Sequence, residues 1–595
     1  MKDFFKQVFS SCLGTILAIS LLSSLSFAAF IAIIAVFSSQ ETTSKLKDES
    51  ILVFDMDLII QDRQPSNSVG DVLAGETPNV MSLRDVTTTI RAAAEDDKIT
   101  GMLMDGRMDV SNGYASLKEV RQALADFKKA GKKIYFYDVG MTERELYLAS
   151  LADEIWLNPG GSLEINGLGA EQMFLTGALE KFGIGVQIVR VGTYKSAVEP
   201  FFRENFSPEN REQTRAFLDD LWSEFKNTTA GDRSIDAKAL QAIADTKGIL
   251  QPEAAKNAKL VTRLAYFDEI LTELKEFTGT DPDEDFPQIT LNAYRDKLDQ
   301  EGFEQTSKNK VVIVYAEGGI VDGEGTPDAI GGDSFSQELR KLRLDEDIKA
   351  VVLRINSPGG SAVASDIILR ELQLIRESKI PVIVSMGDVA ASGGYWIALE
   401  SDRIFAENNT ITGSIGVFGV IPNIQKIGNE NGFTWDVVQT GALANIDSGS
   451  RPKTKEELAI FQGFVNETYD DFLERVGNAR GLTKAQVDKI AQGRVWSGED
   501  AKNIKLVDEL GGLDQAIAYA VKTAKLGDDY MIEEYPVQPT WEEAILEDVF
   551  GAQTKASNDP ITKEWLQLQK NLAMWRSLND PKQVYAIFPW HLTID

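Results

Sequence analysis

Three short segments hold the residues that could do covalent chemistry. In the first, the strand-like run Pro381 to Met386 gives way to a turn of small residues, Gly387 to Ala391, and then to an apolar helical stretch, so that Ser392 falls at the helix start. Free backbone N–H groups at such a point favour developing negative charge, and Gly393 and Gly394 allow a substrate backbone to come close. Ser392 could therefore be a nucleophile; it could equally be an ordinary N-cap, a position serine favours. The second segment, Asn356-Ser-Pro-Gly-Gly360, follows a strand over Ala350 to Ile355. Its glycines could offer N–H groups to an oxyanion, or could simply make a turn. The third is Gly192-Thr-Tyr-Lys-Ser-Ala-Val-Glu-Pro200, whose Lys195 stands among Tyr194, Ala197, Val198 and Phe201. Burial would penalise its ammonium and leave a neutral amine able to accept a proton. The bland alternative is a solvated lysine paired with Glu199. Ser414, in Thr412-Gly-Ser-Ile-Gly416, could hydrogen-bond such an amine; Asp366, Asp388 and Asp402 lie nearby in sequence without an assignable role.

What is missing narrows the chemistry. The chain has one histidine, His591, and one cysteine, Cys12. A Ser-His-Asp triad is excluded unless the C-terminal segment folds back into a cleft, and a Cys-rich zinc site or a disulfide framework cannot be built within one chain. The net charge of −30 repels phosphate backbones and argues against nucleic-acid binding.

The elements that must position these residues repeat. Strand-like runs alternate with helical stretches from Ile51 to Ile60 and Gly101 to Met104, and again from Val311 to Tyr315, which predicts an α/β class. At one constant offset, Ile99-Thr-Gly-Met-Leu-Met-Asp105 aligns with Ile348-Lys-Ala-Val-Val-Leu-Arg354, and Ala152-Asp-Glu-Ile155 with Ser401-Asp-Arg-Ile404. A little further on, Ala255-Lys-Asn-Ala-Lys-Leu-Val261 matches Ala501-Lys-Asn-Ile-Lys-Leu-Val507. Two similar domains in tandem are expected. The same offset places Ser392 on Glu143 and Lys195 on Ala444, so each copy keeps one candidate group. Either the copies share one active site, or they are merely similar scaffolds.

Ser11 to Gln40 carry no charge, a length that can cross a hydrocarbon core of about 30 Å. The expectation is a transmembrane anchor preceded by Lys2 and Lys6, which puts the body on the translocated side of a bacterial inner membrane. The predicted organisation is a cytoplasmic segment 1–10, anchor 11–40, linker 41–49, lysine-bearing domain 50–305, serine-bearing domain 306–540 and an extension 541–595.

Taken in order, the anchor, the duplicated domains, the Asn-Ser-Pro-Gly-Gly loop, the Ala-Ser-Gly-Gly-Tyr-Trp turn, Gly-Ser-Ile-Gly and Gly-Thr-Tyr-Lys-Ser resemble the signal peptide peptidase A (protease IV) family, peptidase family S49, in its long two-domain bacterial form. The resemblance implies tandem Clp protease/crotonase-like domains of stacked β-β-α units. It also implies a periplasmic homotetramer without metal or organic cofactor, and peptide substrates that are released signal peptides with apolar and small side chains. On this sequence it places the nucleophile at Ser392, the general base at Lys195, a lysine-orienting hydroxyl at Ser414 and oxyanion contacts at Gly359, Gly360 and Gly393. The competing expectations are a crotonase-like acyl-CoA enzyme, which would use the same oxyanion architecture on a thioester, and a non-enzymatic membrane scaffold.

Overall fold

The structure, a computed structural model, describes residues 46–63, 79–107, 112–302, 306–326, 328–536, 580, 582–588 and 593–594. Two parallel sheets repeat one strand order. In the first half, Gln288–Thr290, Ser50–Asp55, Ile99–Asp105, Lys133–Met141, Glu154–Ile165 and Arg263–Leu264 lie side by side. In the second, the order is Met531–Tyr535, Lys310–Glu317, Ile348–Ser357, Val382–Ala391, Arg403–Ala406 and Glu509–Leu510. The mixed α/β class and the tandem arrangement follow directly.

Strand composition explains the layers. Val311 to Ala316 are all buried, as in parallel strands covered on both faces. Val312 and Val314 face one core with the helices Ala362–Glu377 and Lys455–Arg480, while Val311, Ile313 and Tyr315 face another with Leu513–Ala524. The first half repeats this alternation: Ile134 and Phe136 pack with the helices Leu83–Glu95 and Tyr114–Lys129, and Tyr135 and Tyr137 with Phe267–Thr278.

Two expected boundaries shift. The run Ile51 to Ile60 divides into Ser50–Asp55 and Ile59–Gln61, because Leu58 N donates to Asp55 O in a turn carrying Asp55 and Asp57. The strand starting at Val382 continues through the small residues to Ala391, since Val389 to Ala391 pair with Ile411 to Gly413.

Polar contacts join the halves. Asp388, for which the sequence offered no role, accepts from the N–H groups of Ala115 and Ser116, at 3.0 and 3.1 Å, and from Ser116 Oγ at 2.7 Å, capping a first-half helix from the second half. Arg354 is fully buried between Asp62, 2.7 Å away, and Glu119, 2.8 Å away. Asp366 instead pairs with Arg475, and Asp402 accepts from Val382 N.

A third sheet draws on both halves. Gly185–Val191 runs antiparallel to Val417–Asn423, and the sheet continues through Tyr585–Ile587 and Gly359–Ser361 to Gly319–Val321. Part of the predicted extension 541–595 is thus built into the second domain. No described helix is long and apolar enough to cross a membrane, and the expected anchor 11–40 and His591 lie outside the described residues.

Candidate active site

The strand Val382–Ala391 delivers Ser392 to the edge of the second core, and the helix Gly393–Ile397 begins immediately after it. Ser392 N donates to Gly413 O at 2.8 Å, and the residue sits at φ 58° and ψ −113°. A left-handed φ costs a residue with a Cβ about 1–2 kcal/mol, so the surrounding bonds must enforce this turn. Ser392 stands at the N-cap, yet its hydroxyl makes no capping hydrogen bond. It meets Lys195.

Lys195 reaches the second half along the third sheet. Beyond Val191, Tyr194 N donates to Gln492 O at 2.8 Å, and Gln213 Nε2 donates to Tyr194 O at 3.0 Å. Gly493, at φ 77°, lies so close that a Cβ on it would stand 2.6 Å from Lys195 Cβ. The lysine is 1% exposed. Its Nζ lies 2.7 Å from Ser392 Oγ, 3.0 Å from Ser414 O and 3.0 Å from Ser414 Oγ.

The electrostatics of this contact have one cause. Burial drives the Lys195 pKa well below its ordinary value, and among the described residues no carboxylate opposes it. Glu199, the expected surface partner, is itself buried and accepts from Ser207 N at 3.1 Å and Asn210 Nδ2 at 3.0 Å. The contacts suit a neutral amine: two N–H groups donate to the two oxygens of Ser414, and the lone pair remains for the hydroxyl proton of Ser392.

The glycine loop closes the other side. Gly359, at φ 97°, comes so near that a Cβ on it would lie 2.5 Å from Gly393 N, and its own N–H donates to Ser357 Oγ at 3.2 Å. A Cβ on Gly360 would fall 1.8 Å from Ile320 O. Side chains at either position are excluded by backbone, and Gly360 N lies 3.0 Å from the point that a Cβ on Gly393 would occupy.

Ser392, Lys195, Ser414, Gly359, Gly360 and Gly393 therefore meet in one place, whereas Asp366, Asp388 and Asp402 make their contacts elsewhere. Sequence reasoning missed the residues that hold the lysine segment: Gln492 and Gln213 on the Tyr194 backbone, Gly493 against the start of the Lys195 side chain, and Gly416, where a Cβ would lie 3.3 Å from Lys195 Cδ. Nothing marks these residues in the chain, because a turn glycine and a polar helix residue have many ordinary uses.

Residues 126–281 and 375–527 match the Peptidase family S49 model. The first segment contains Lys195 and the second contains Ser392 and Ser414. The chain is 34% identical to Protease 4 of Haemophilus influenzae over 93% of each protein. It is 33% identical to the chloroplastic serine protease SPPA of Arabidopsis thaliana, over 77% of this chain and 68% of that one. Against a protein named as a putative signal peptide peptidase SppA from Enterococcus faecium the identity is 31%, over 40% of this chain and 70% of that one. The family match and the similarities define a serine protease. The chain belongs to peptidase family S49.

Proposed function

We propose that the protein is a membrane-anchored endopeptidase of the bacterial periplasm that degrades released signal peptides with a Ser392/Lys195 dyad. The observation that carries this reading is the 2.7 Å contact between the Lys195 amine and the Ser392 hydroxyl, both buried. Neutral Lys195 takes the hydroxyl proton as Ser392 Oγ attacks the scissile carbonyl. The N–H groups of Gly360 and Gly393 hold the oxyanion, while Gly359, its own N–H bonded to Ser357 Oγ, lets the backbone come close enough for this. The lysinium, steadied by both Ser414 oxygens, protonates the leaving amine, and an ester joins the substrate to Ser392. Lys195 then activates the water that hydrolyses this ester. No metal or organic cofactor takes part in this scheme.

The charge-free segment 11–40 would hold the enzyme beside substrates that are themselves membrane-embedded, raising their effective concentration. The working form in this reading is a homotetramer with its body in the periplasm. The test uses the full chain in detergent and an apolar signal peptide. Ser392→Ala and Lys195→Ala are each expected to abolish cleavage while circular dichroism stays that of the parent; normal turnover by either variant would overturn the dyad.

A further inference from the structure

Three residues stand where the sheet has room for one. Along the strand that ends at the nucleophile, Met386 lies opposite Ile355 and Ala390 opposite Ser357, so that Gly387, Asp388 and Val389 together face Asn356. A bulge in a parallel pair is rare, and bulges beside active sites re-aim a side chain. Each residue of this one is bonded. Thr410 Oγ1 donates to Gly387 O at 2.8 Å, and Val389 N donates to Asn356 Oδ1 at 3.1 Å. The bonds to the Asp388 side chain come from the other half of the chain.

The helix Tyr114–Lys129 begins after Gly113, which has no side chain to cap it. In its place the Asp388 carboxylate accepts from the N–H groups of Ala115 and Ser116, the two that an N-cap side chain ordinarily satisfies. Ser116 Oγ donates to the second carboxylate oxygen at 2.7 Å. A Cβ on Gly113 would lie 2.3 Å from Asp388 Cγ, so the glycine is what admits a cap from the other half. Beyond the bulge the bonds run without a break to the dyad. Val389 to Ala391 pair with Ile411 to Gly413, Ser392 N donates to Gly413 O, and Ser414 holds the Lys195 amine through both of its oxygens.

We propose that Asp388 is a positioning residue for Ser392: the first-half helix, by taking this carboxylate as its cap, fixes the bulge that aims the nucleophile at Lys195. The proposal rests on the Ser392/Lys195 reading. The half that carries the base thereby also places the serine. Asp388 touches no reacting atom in this role and acts through the backbone of Val389 to Ala391. Releasing the carboxylate frees the bulge to relax, and a displacement of about 1 Å at a reacting group costs about 100-fold in rate.

The test is steady-state cleavage of an apolar peptide, with fluorophosphonate labelling of Ser392, on the full chain in detergent below the melting temperature of every sample. Asp388→Ala is expected to lower kcat about 100-fold and to slow labelling by a like factor, with KM within about twofold of the parent. Gly113→Ala changes only the first half, yet it drives a Cβ into the carboxylate and should have the same effect. Asp388→Asn, an equally good cap, should stay within about fivefold of the parent. Parent kcat and labelling rate in folded Asp388→Ala overturn the proposal and leave a purely structural cap; should that variant not fold, the same comparison on Gly113→Ala decides. A loss carried by KM alone overturns it too, as does an Asp388→Asn variant as slow as Asp388→Ala. A parent enzyme that neither cleaves the peptide nor takes up the label fails the Ser392 reading itself, whereas an active parent beside equally active variants fails the positioning role alone.

Discussion

Replacing Ser414 by alanine tests whether the lysine works as a neutral base that becomes charged in the reaction. Ser414 O and Oγ each lie 3.0 Å from Lys195 Nζ, and burial of the amine opposes its charge. The substitution keeps the backbone carbonyl and removes one acceptor. Ser414 already sits at φ 52°, a conformation that costs serine and alanine alike, so the turn itself is not newly strained. In the resting amine the loss is a neutral hydrogen bond of about 1 kcal/mol. In the transition state the donor is becoming an ammonium, and a hydrogen bond to a charged group contributes about 1.5–3 kcal/mol. Only the difference, about 0.5–2 kcal/mol, raises the barrier measured from the free enzyme, so at about 1.36 kcal/mol per tenfold kcat/KM should fall roughly 2- to 30-fold. Because the charged amine loses more than the neutral one, the Lys195 pKa should move lower still. The acid limb of the pH profile, along which activity falls as the lysine becomes protonated, should shift to lower pH. The assay is steady-state cleavage of a fluorogenic apolar peptide across pH, with thermal melts to confirm folding. An unchanged kcat/KM, or an acid limb displaced to higher pH, would refute the reasoning.

Lys195→Met should change the pH dependence of stability as well as removing activity. Between the depressed folded pKa and the free lysine value of about 10.4, the unfolded chain binds a proton that the folded chain does not. Urea melts should therefore show the parent gaining on the variant by roughly 1.36 kcal/mol per pH unit through that window; parallel curves would count against a neutral buried amine. Gly493→Ala forces a Cβ to within 2.6 Å of Lys195 Cβ at φ 77°, so kcat should drop by about 100-fold through displacement of the base, with KM little changed. Arg354→Met leaves Asp62 and Glu119 buried without their cation, Glu119 being already pushed up to about 7 by burial. A loss of about 3–5 kcal/mol is expected, read as a lower denaturant midpoint.

Much of the site was legible in the residues because so little else could supply the chemistry. With one histidine and one cysteine in the chain, a serine nucleophile had few possible bases, and the glycines after Pro358 and Ser392 marked two places of close backbone approach. The tandem offset foretold two sheets of one strand order, since a parallel sheet covered on both faces leaves continuous apolar runs that survive duplication. Asp388 and Arg354 were opaque for a different reason: each interacts with the other half of the chain, and no local pattern records a partner hundreds of residues away.

By itself, then, the sequence determined which groups were available and that they were divided between two copies of one domain. Only the tertiary structure decided that Lys195 is dry and within 2.7 Å of Ser392. That depends on the antiparallel pairing of Gly185–Val191 with Val417–Asn423, on the turn around Gly493 and on a core shared by both halves, where Ala391, Ile411 and Val495 pack with first-half residues. An amine gives up its proton when water is excluded from every side, and such exclusion belongs to packing among distant segments, which local sequence does not encode.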